Sequence, residues 1–153
     1  MFFGEIKTQD SENSVLPTSM VLDENGLKVK IKKGTIINKK IINLLLENKI
    51  KHITCARLDK NDINENLAVH RISEKIINKK NSNLKLSLAH QGRCNILSKI
   101  NGLLKFDPQQ LLSVNAITDE IGVATIKPFS LVKKDQTVAS TKAIPFAINK
   151  DLL

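Results

Sequence analysis

The segment GVATIKPFSLVKKDQTVASTKAIPFAI, residues 122–148, carries the clearest structural pattern of this chain. Two runs with short apolar stretches are separated by Lys-Lys-Asp at positions 133–135. Alternation of apolar and polar residues is typical of a half-buried strand, and a polar break between two such runs is typical of a turn. The segment therefore predicts a strand, a turn and a second strand.

Helical spacing of apolar residues appears elsewhere in the chain. Asn38 precedes one such segment as a plausible N-cap, and Asp107 followed by Pro is a strong helix start. The three helices are predicted at residues 39–48, 63–78 and 108–114. The apolar face expected for the second helix consists of Leu67, Val69, Ile72, Ile76 and Ile77.

The spacing of apolar residues changes from a period of 3.6 to a period of 2 near residue 83. The polar stretch 79–83 just before this change is the clearest linker. Further strands are predicted where apolar residues alternate with polar ones, at residues 2–8, 15–22, 27–31, 52–58 and 84–88. The sequence predicts an α+β, β-rich fold of two small lobes with three short helices. We place the N-terminal α+β lobe at residues 1–80 and the C-terminal β-rich lobe at residues 84–153.

Composition restricts the class of protein. The chain has 153 residues and a formal net charge of +9, but nearly all its cations are Lys, and Tyr and Trp are absent. Proteins that bind single-stranded nucleic acid use aromatic stacking platforms, so a nucleic-acid partner is not favoured. The longest apolar run, 41–46, is far below the roughly 18 residues of a membrane span. Without a signal-peptide pattern, and with two isolated cysteines, a cytoplasmic protein without membrane association is expected.

Catalytic motifs are not found in the sequence. His52, His70 and His90 lack the spacing of metal ligands, and there is no nucleophile motif, Walker loop or dinucleotide-binding glycine pattern. The isolated chain is therefore not expected to be an enzyme.

The best local group of polar residues is Gln91-Gly92-Arg93-Cys94-Asn95. Gly92 permits a close approach of the backbone, the planar Arg93 guanidinium suits a phosphate or carboxylate, and Asn95 can both donate and accept. The same residues also fit a hairpin turn in which Arg93 contacts backbone, and spacing alone favours that structural interpretation.

Several segments resemble a known family. GRCNILSKINGLLKFD, SVNAITDEIGVATI and QTVASTKAIPFAI are similar to the N-terminal region of bacterial molybdopterin-binding proteins, and KKGTIINKKIINLLLENKIKHITCARLDKNDINENLA fits the same pattern. Members are often fused to a domain that resembles molybdenum-cofactor cytidylyltransferase, and some are named 4-diphosphocytidyl-2C-methyl-D-erythritol synthase. Where the family usually has Thr before the glycine, this chain has Gln91.

The resemblance implies a non-catalytic domain that supports binding or assembly of molybdopterin in cofactor biosynthesis. The phosphate of molybdopterin would pair with Arg93, and Lys142 would add charge. The amides of Asn95 and Asn115 would contact polar edges of the ligand, and Gly92 would form the turn. In the family, the molybdopterin-binding α/β domain and the nucleotidyltransferase domain follow this region, and they are the implied partners besides the anionic pterin.

Other interpretations stay open at this point. The chain could be an excised domain, a stand-alone structural or dimerisation module that forms a homodimer, or a fragment of a cytidylyltransferase. In the structural interpretation, Arg93 and Asn95 only brace a hairpin.

Overall fold

The computed structural model describes residues 1–77 and 83–152. It confirms the α+β, β-rich class, with small sheets and short helices. The strands are β1 (Phe2–Lys7), β2 (Met20–Glu24), β3 (Leu27–Ile31), β4 (His52–Arg57), β5 (Asp62–Asn64), β6 (Leu84–Leu86), β7 (Arg93–Ser98), β8 (Gly102–Leu103), β9 (Ile121–Thr125), β10 (Leu131–Val132), β11 (Thr137–Ala143) and β12 (Ala147–Asn149). The helices are α1 (Lys39–Glu47), α2 (Glu65–Ile77) and α3 (Pro108–Asn115), with 3₁₀ turns at Thr8–Asp10 and Lys150–Leu152.

The chain divides into two compact units, Met1–Asp62 and Ile63–Leu153. The sequence placed the boundary near residue 80, and the difference is the position of α2. This helix packs on β7 and β11 and therefore belongs to the second unit. The predicted linker, 79–83, lies outside the described residues except for Asn83.

In the first unit, β1 pairs antiparallel with β4, and β2 pairs antiparallel with β3. Helix α1 begins where the sequence predicts, because the Asn38 side chain accepts a hydrogen bond from the Ile41 N–H at 3.0 Å. The core of this unit is apolar and is formed by Leu16, Leu22, Ile31, Ile37, Ile42, Leu44, Leu45, Ile53 and Cys55.

The candidate strand over residues 15–22, which the sequence breaks at Pro17, is regular only in its second half. Val15 makes only isolated bridges to Ile36 and Ala56, and Pro17 has no N–H to continue a ladder, so regular pairing begins at Met20.

The second unit contains a four-stranded antiparallel sheet in the order β6-β7-β11-β9, with short two-stranded ribbons of β8 with β10 and β5 with β12. Side chains of a strand alternate between the two faces of its sheet. One face carries Cys94, Ile96, Val123 and Thr141, all buried, and α2 packs against β7 and β11.

The packed face of α2 includes Val69, Ile72 and Ile77 of the predicted set, but not Leu67 and Ile76. Val69, Ser73 and Ile77 are buried, whereas Leu67 is 45% exposed and Ile76 is 40% exposed. Ser73 is tolerated inside because its Oγ donates a hydrogen bond to Thr141 Oγ1 at 2.9 Å. This long-range hydroxyl pair adds a polar contact to the packed face of α2.

Helix α3 begins as predicted, with the Asp107 carboxylate accepting a hydrogen bond from the Gln109 N–H at 2.9 Å and Pro108 in the first turn. It lies beside β9, the last strand of the sheet order. None of its residues, all of which the structure describes, is buried. Helix α3 is therefore the least anchored of the three helices.

Candidate functional site

The turn that precedes β7 shapes the site. Gln91 and Gly92 both have positive φ, +49° and +66°, and the N–H groups of His90 and Arg93 each donate to the carbonyl of the other. These are the features of a two-residue hairpin turn with a right-handed twist. Arg93 therefore begins β7 at a fixed position.

Gly92 is required by its own surroundings. A Cβ at this position would lie 2.9 Å from Glu65 Oε2 and 3.2 Å from the Ala143 carbonyl oxygen, and the Gly92 N–H donates to Asn66 Oδ1 at 2.8 Å. The close approach that the sequence predicts does occur, and the groups that approach belong to the chain itself.

Arg93 and Lys142 are direct cross-strand partners. The register of β7 and β11 pairs Lys142 with Arg93, and the next pair on the same face is Ser140 with Asn95. Since Cys94 and Thr141 are buried on the α2 side, these four side chains point to the opposite face. Arg93 is exposed there, and Lys142 is half-buried.

Both cations line one shallow pocket of about 310 Å³. Small side chains form its floor, and none of the described residues that line it carries a carboxylate. The lining consists of Arg93, Asn115, Gly122, Val123, Ala124, Ser140 and Lys142. Three of the five predicted site residues are thus brought together, and their charge is positive.

The two cations have different environments. The Lys142 ammonium donates a hydrogen bond to the Gln91 carbonyl oxygen at 2.8 Å, which holds it against the turn. The Arg93 guanidinium makes no hydrogen bond or ion pair with any part of the chain that the structure describes. Like charges directly opposite each other on neighbouring strands repel, so the pair is favoured when an anion lies between them.

Asn115 lines the pocket, but its amide is used elsewhere. Its Nδ2 donates to the Val123 carbonyl oxygen at 2.9 Å, and its Oδ1 accepts from the Val123 N–H at 2.8 Å. A predicted contact of Asn115 with a ligand could therefore use only the second N–H and the second oxygen lone pair of this amide.

Asn95 is half-buried and does not line the pocket. Its backbone pairs with Ser87, whose Oγ accepts from the Asn95 N–H at 3.0 Å and whose N–H donates to the Asn95 carbonyl oxygen at 2.9 Å. Both bonds use the backbone of Asn95 and not its side-chain amide.

Sequence reasoning missed Ser140. Its Oγ is buried and has no hydrogen-bond partner among the described residues, and Ser140 lines the pocket beside Lys142. An unsatisfied buried hydroxyl is costly, and a rotation of this side chain towards the pocket would let a bound acceptor or donor satisfy it. The available signal was the alternation of β11, which places residues 140 and 142 on one face.

Other kinds of site are not found in the part of the chain that the structure describes. It holds no group of three or more His, Cys, Asp or Glu that could bind a metal ion. Within residues 1–77 and 83–152, no helix has the length and apolar character needed to cross a membrane. Cys55 and Cys94 are buried thiols.

Comparison of the chain with protein-family models, curated proteins and solved structures gave no match. The case for a function therefore depends on the pocket and on the sequence segments quoted above.

Proposed function

We propose that this chain is a non-catalytic domain of a cytoplasmic molybdopterin-binding protein of molybdenum cofactor biosynthesis, and that its second unit contributes contacts to the phosphate of the cofactor. The observation that carries the proposal is the cross-strand pair of Arg93 and Lys142 on one pocket whose described lining has no carboxylate. The resemblance to the family supplies the identity of the ligand.

The donor set of the pocket fits an anionic pterin. Molybdopterin carries a phosphate, which the planar fork of Arg93 can bind in a bidentate manner while the Lys142 ammonium adds charge. The unsatisfied Ser140 hydroxyl supplies a further polar contact, and the small residues Gly122 and Ala124 leave room for a ring system. No bond to the metal or to the dithiolene is assigned to these residues.

Two of the five predicted site residues, Gly92 and Asn115, make contacts within the domain, and a third, Asn95, does not line the pocket. Gly92 is fixed by its turn and its neighbours, and the Asn115 amide is bonded to the backbone of Val123. The proposed ligand contacts are therefore made chiefly by Arg93, Lys142 and Ser140.

The test is a binding titration of the chain with a 6-alkyl pterin that carries a phosphate ester. The fluorescence of the pterin reports binding. Arg93→Ala and Lys142→Ala should each weaken binding by about 10- to 100-fold, the effect of removing one charge-assisted hydrogen bond. Arg71→Ala and Lys127→Ala are the matched controls, because both side chains are exposed in the same unit outside the pocket.

Equal affinity for the phosphorylated and unphosphorylated pterin would refute the phosphate role, and so would an Arg93→Ala chain that binds like the wild type. Cytidylyl transfer to molybdopterin by the purified chain would refute the non-catalytic assignment.

A further inference from the structure

The outer edge of β9 is closed in an unusual way. Strand β9 is the last strand of the order β6-β7-β11-β9, so within residues 1–77 and 83–152 one side of its backbone has no neighbouring strand. The Glu120 carbonyl oxygen and the Ile126 N–H bond towards β11, to Ile144 and Val138. By alternation, the backbone groups of residues 121, 123 and 125 point away from the sheet.

Asn115 occupies the centre of this edge. Its side-chain amide makes both hydrogen bonds with Val123, at 2.8 and 2.9 Å, which are the two bonds that a residue of a further antiparallel strand would make. One side chain of α3 therefore takes the place of a peptide group of a fifth strand.

The described sequence of β9 has none of the features that usually prevent an edge strand from pairing with another strand. Exposed edges are usually protected by Lys, Pro, a bulge or a very short strand. The sequence of β9, IGVAT, has no charged residue and no Pro, and its register with β11 is regular over all five residues. The opposite edge, β6, has only three residues, and one of them is the exposed Lys85.

The helix that carries Asn115 is weakly held. No residue of α3 is buried, Leu112 is 61% exposed, and a cavity of about 320 Å³ lies between α3, α2 and β9. Displacement of α3 therefore removes little buried apolar surface from the unit, and the two bonds to Val123 are a substantial part of what holds it.

We propose that the β9 edge is an interaction surface for a second copy of this chain, and that Asn115 keeps it closed. In the open form, β9 pairs antiparallel with β9 of the second copy about Val123, so that the two Val123 residues exchange the bonds now made by Asn115. Ile121 of each copy then lies opposite Thr125 of the other. The strand is uncharged and its outward groups are symmetric about Val123, so it matches a copy of itself.

The net charge of +9 opposes this pairing, because two copies repel each other. Association through β9 is therefore expected to strengthen as salt concentration rises, in contrast to association through opposite charges.

The test is sedimentation equilibrium of the whole chain over a wide range of concentrations at low and high salt. Asn115→Ala should lower the dimer dissociation constant by roughly 10- to 30-fold, the effect of two lost hydrogen bonds on the closed form. Asn43→Ala is the matched control, since Asn43 is an exposed residue of α1. Adding Ala124→Lys at an exposed position of β9 should return the Asn115→Ala chain to the monomer.

If Asn115→Ala unfolds, Asn115→Asp is the second variant, because it keeps the acceptor for the Val123 N–H and loses the donor. Two results overturn the proposal. One is a folded Asn115 variant that stays as monomeric as the wild type at every concentration and salt level. The other is association that Ala124→Lys does not change, since the contact then lies elsewhere.

Discussion

Ser73 and Thr141 form a hydroxyl pair inside the second unit. Ser73 Oγ on α2 donates to Thr141 Oγ1 on β11 at 2.9 Å, and both residues are fully buried. A buried hydroxyl without a partner costs about 1–3 kcal/mol, whereas removing both partners is nearly neutral. The pair therefore fixes the rotation of α2 on the sheet at little net cost.

Ser73→Ala should lower the free energy of unfolding by about 1–3 kcal/mol, because the Thr141 hydroxyl loses its partner. Thr141→Val should cost less, since the Ser73 hydroxyl can turn to a carbonyl of the preceding turn of its helix. The double variant should be more stable than Ser73→Ala alone. Urea unfolding of the three chains measures this, and additive losses would contradict it.

Arg93→Gln should stabilise the ligand-free chain by about 0.2–1 kcal/mol at low salt, because it removes repulsion between directly opposite cations. Lys142→Gln should gain less, because it also loses the hydrogen bond to the Gln91 carbonyl oxygen. The gain should shrink as salt is added. Inorganic phosphate should raise the melting temperature of the wild type more than that of either variant. Thermal melts with and without phosphate test both points, and Arg71→Gln, on the exposed side of α2, is the control.

The ion pair of Asp135 with Lys85 gives a pH dependence of known sign. The hydrogen bond from Lys85 lowers the pKa of the Asp135 carboxyl. Because the pKa of this carboxyl is lowered in the folded state, the ion pair contributes to stability above the ordinary pKa of Asp. That contribution is lost as the pH falls through the pKa of the folded state. Both side chains are exposed, so the effect is small. An NMR titration should show the pKa of Asp135 rising in Lys85→Met and staying unchanged in the control Lys127→Met.

Gly92→Ala should destabilise the chain more than Gly26→Ala. Both glycines have positive φ, so each substitution costs about 1 kcal/mol in the backbone. At Gly26 an added Cβ meets nothing within 4 Å, whereas at Gly92 it lies 2.9 Å from Glu65 Oε2 and 3.2 Å from the Ala143 carbonyl oxygen. Chemical denaturation of the two variants isolates the cost of crowding, and equal losses would show that the turn alone matters.

Local chemistry made several features predictable. The caps at Asn38 and Asp107 depend on residues within three positions, and the structure confirms both. The strand at 27–31 follows from simple alternation and is confirmed as β3. Such signals need no knowledge of the rest of the fold.

Long-range contacts were not predictable in this way. Ser73 lies on the packed face of α2 and bonds Thr141, which is 68 residues away, so apolar counting omitted Ser73 and wrongly included the exposed Leu67 and Ile76. The same applies to Asn115, whose partner is a backbone group and leaves no mark in the side-chain pattern. Arg93 and Lys142 were both candidates, but their direct pairing required the register of β7 and β11.

Side chains of β7 and β11 alternate between the interior of the unit and the pocket. Residues 94 and 141 lie in the folded interior, while residues 93, 140 and 142 line the pocket. A library randomised at those three positions would change the lining of the pocket and leave the interior residues 94 and 141 as they are. A domain arranged in this way can change its surface chemistry by few substitutions and keep its scaffold.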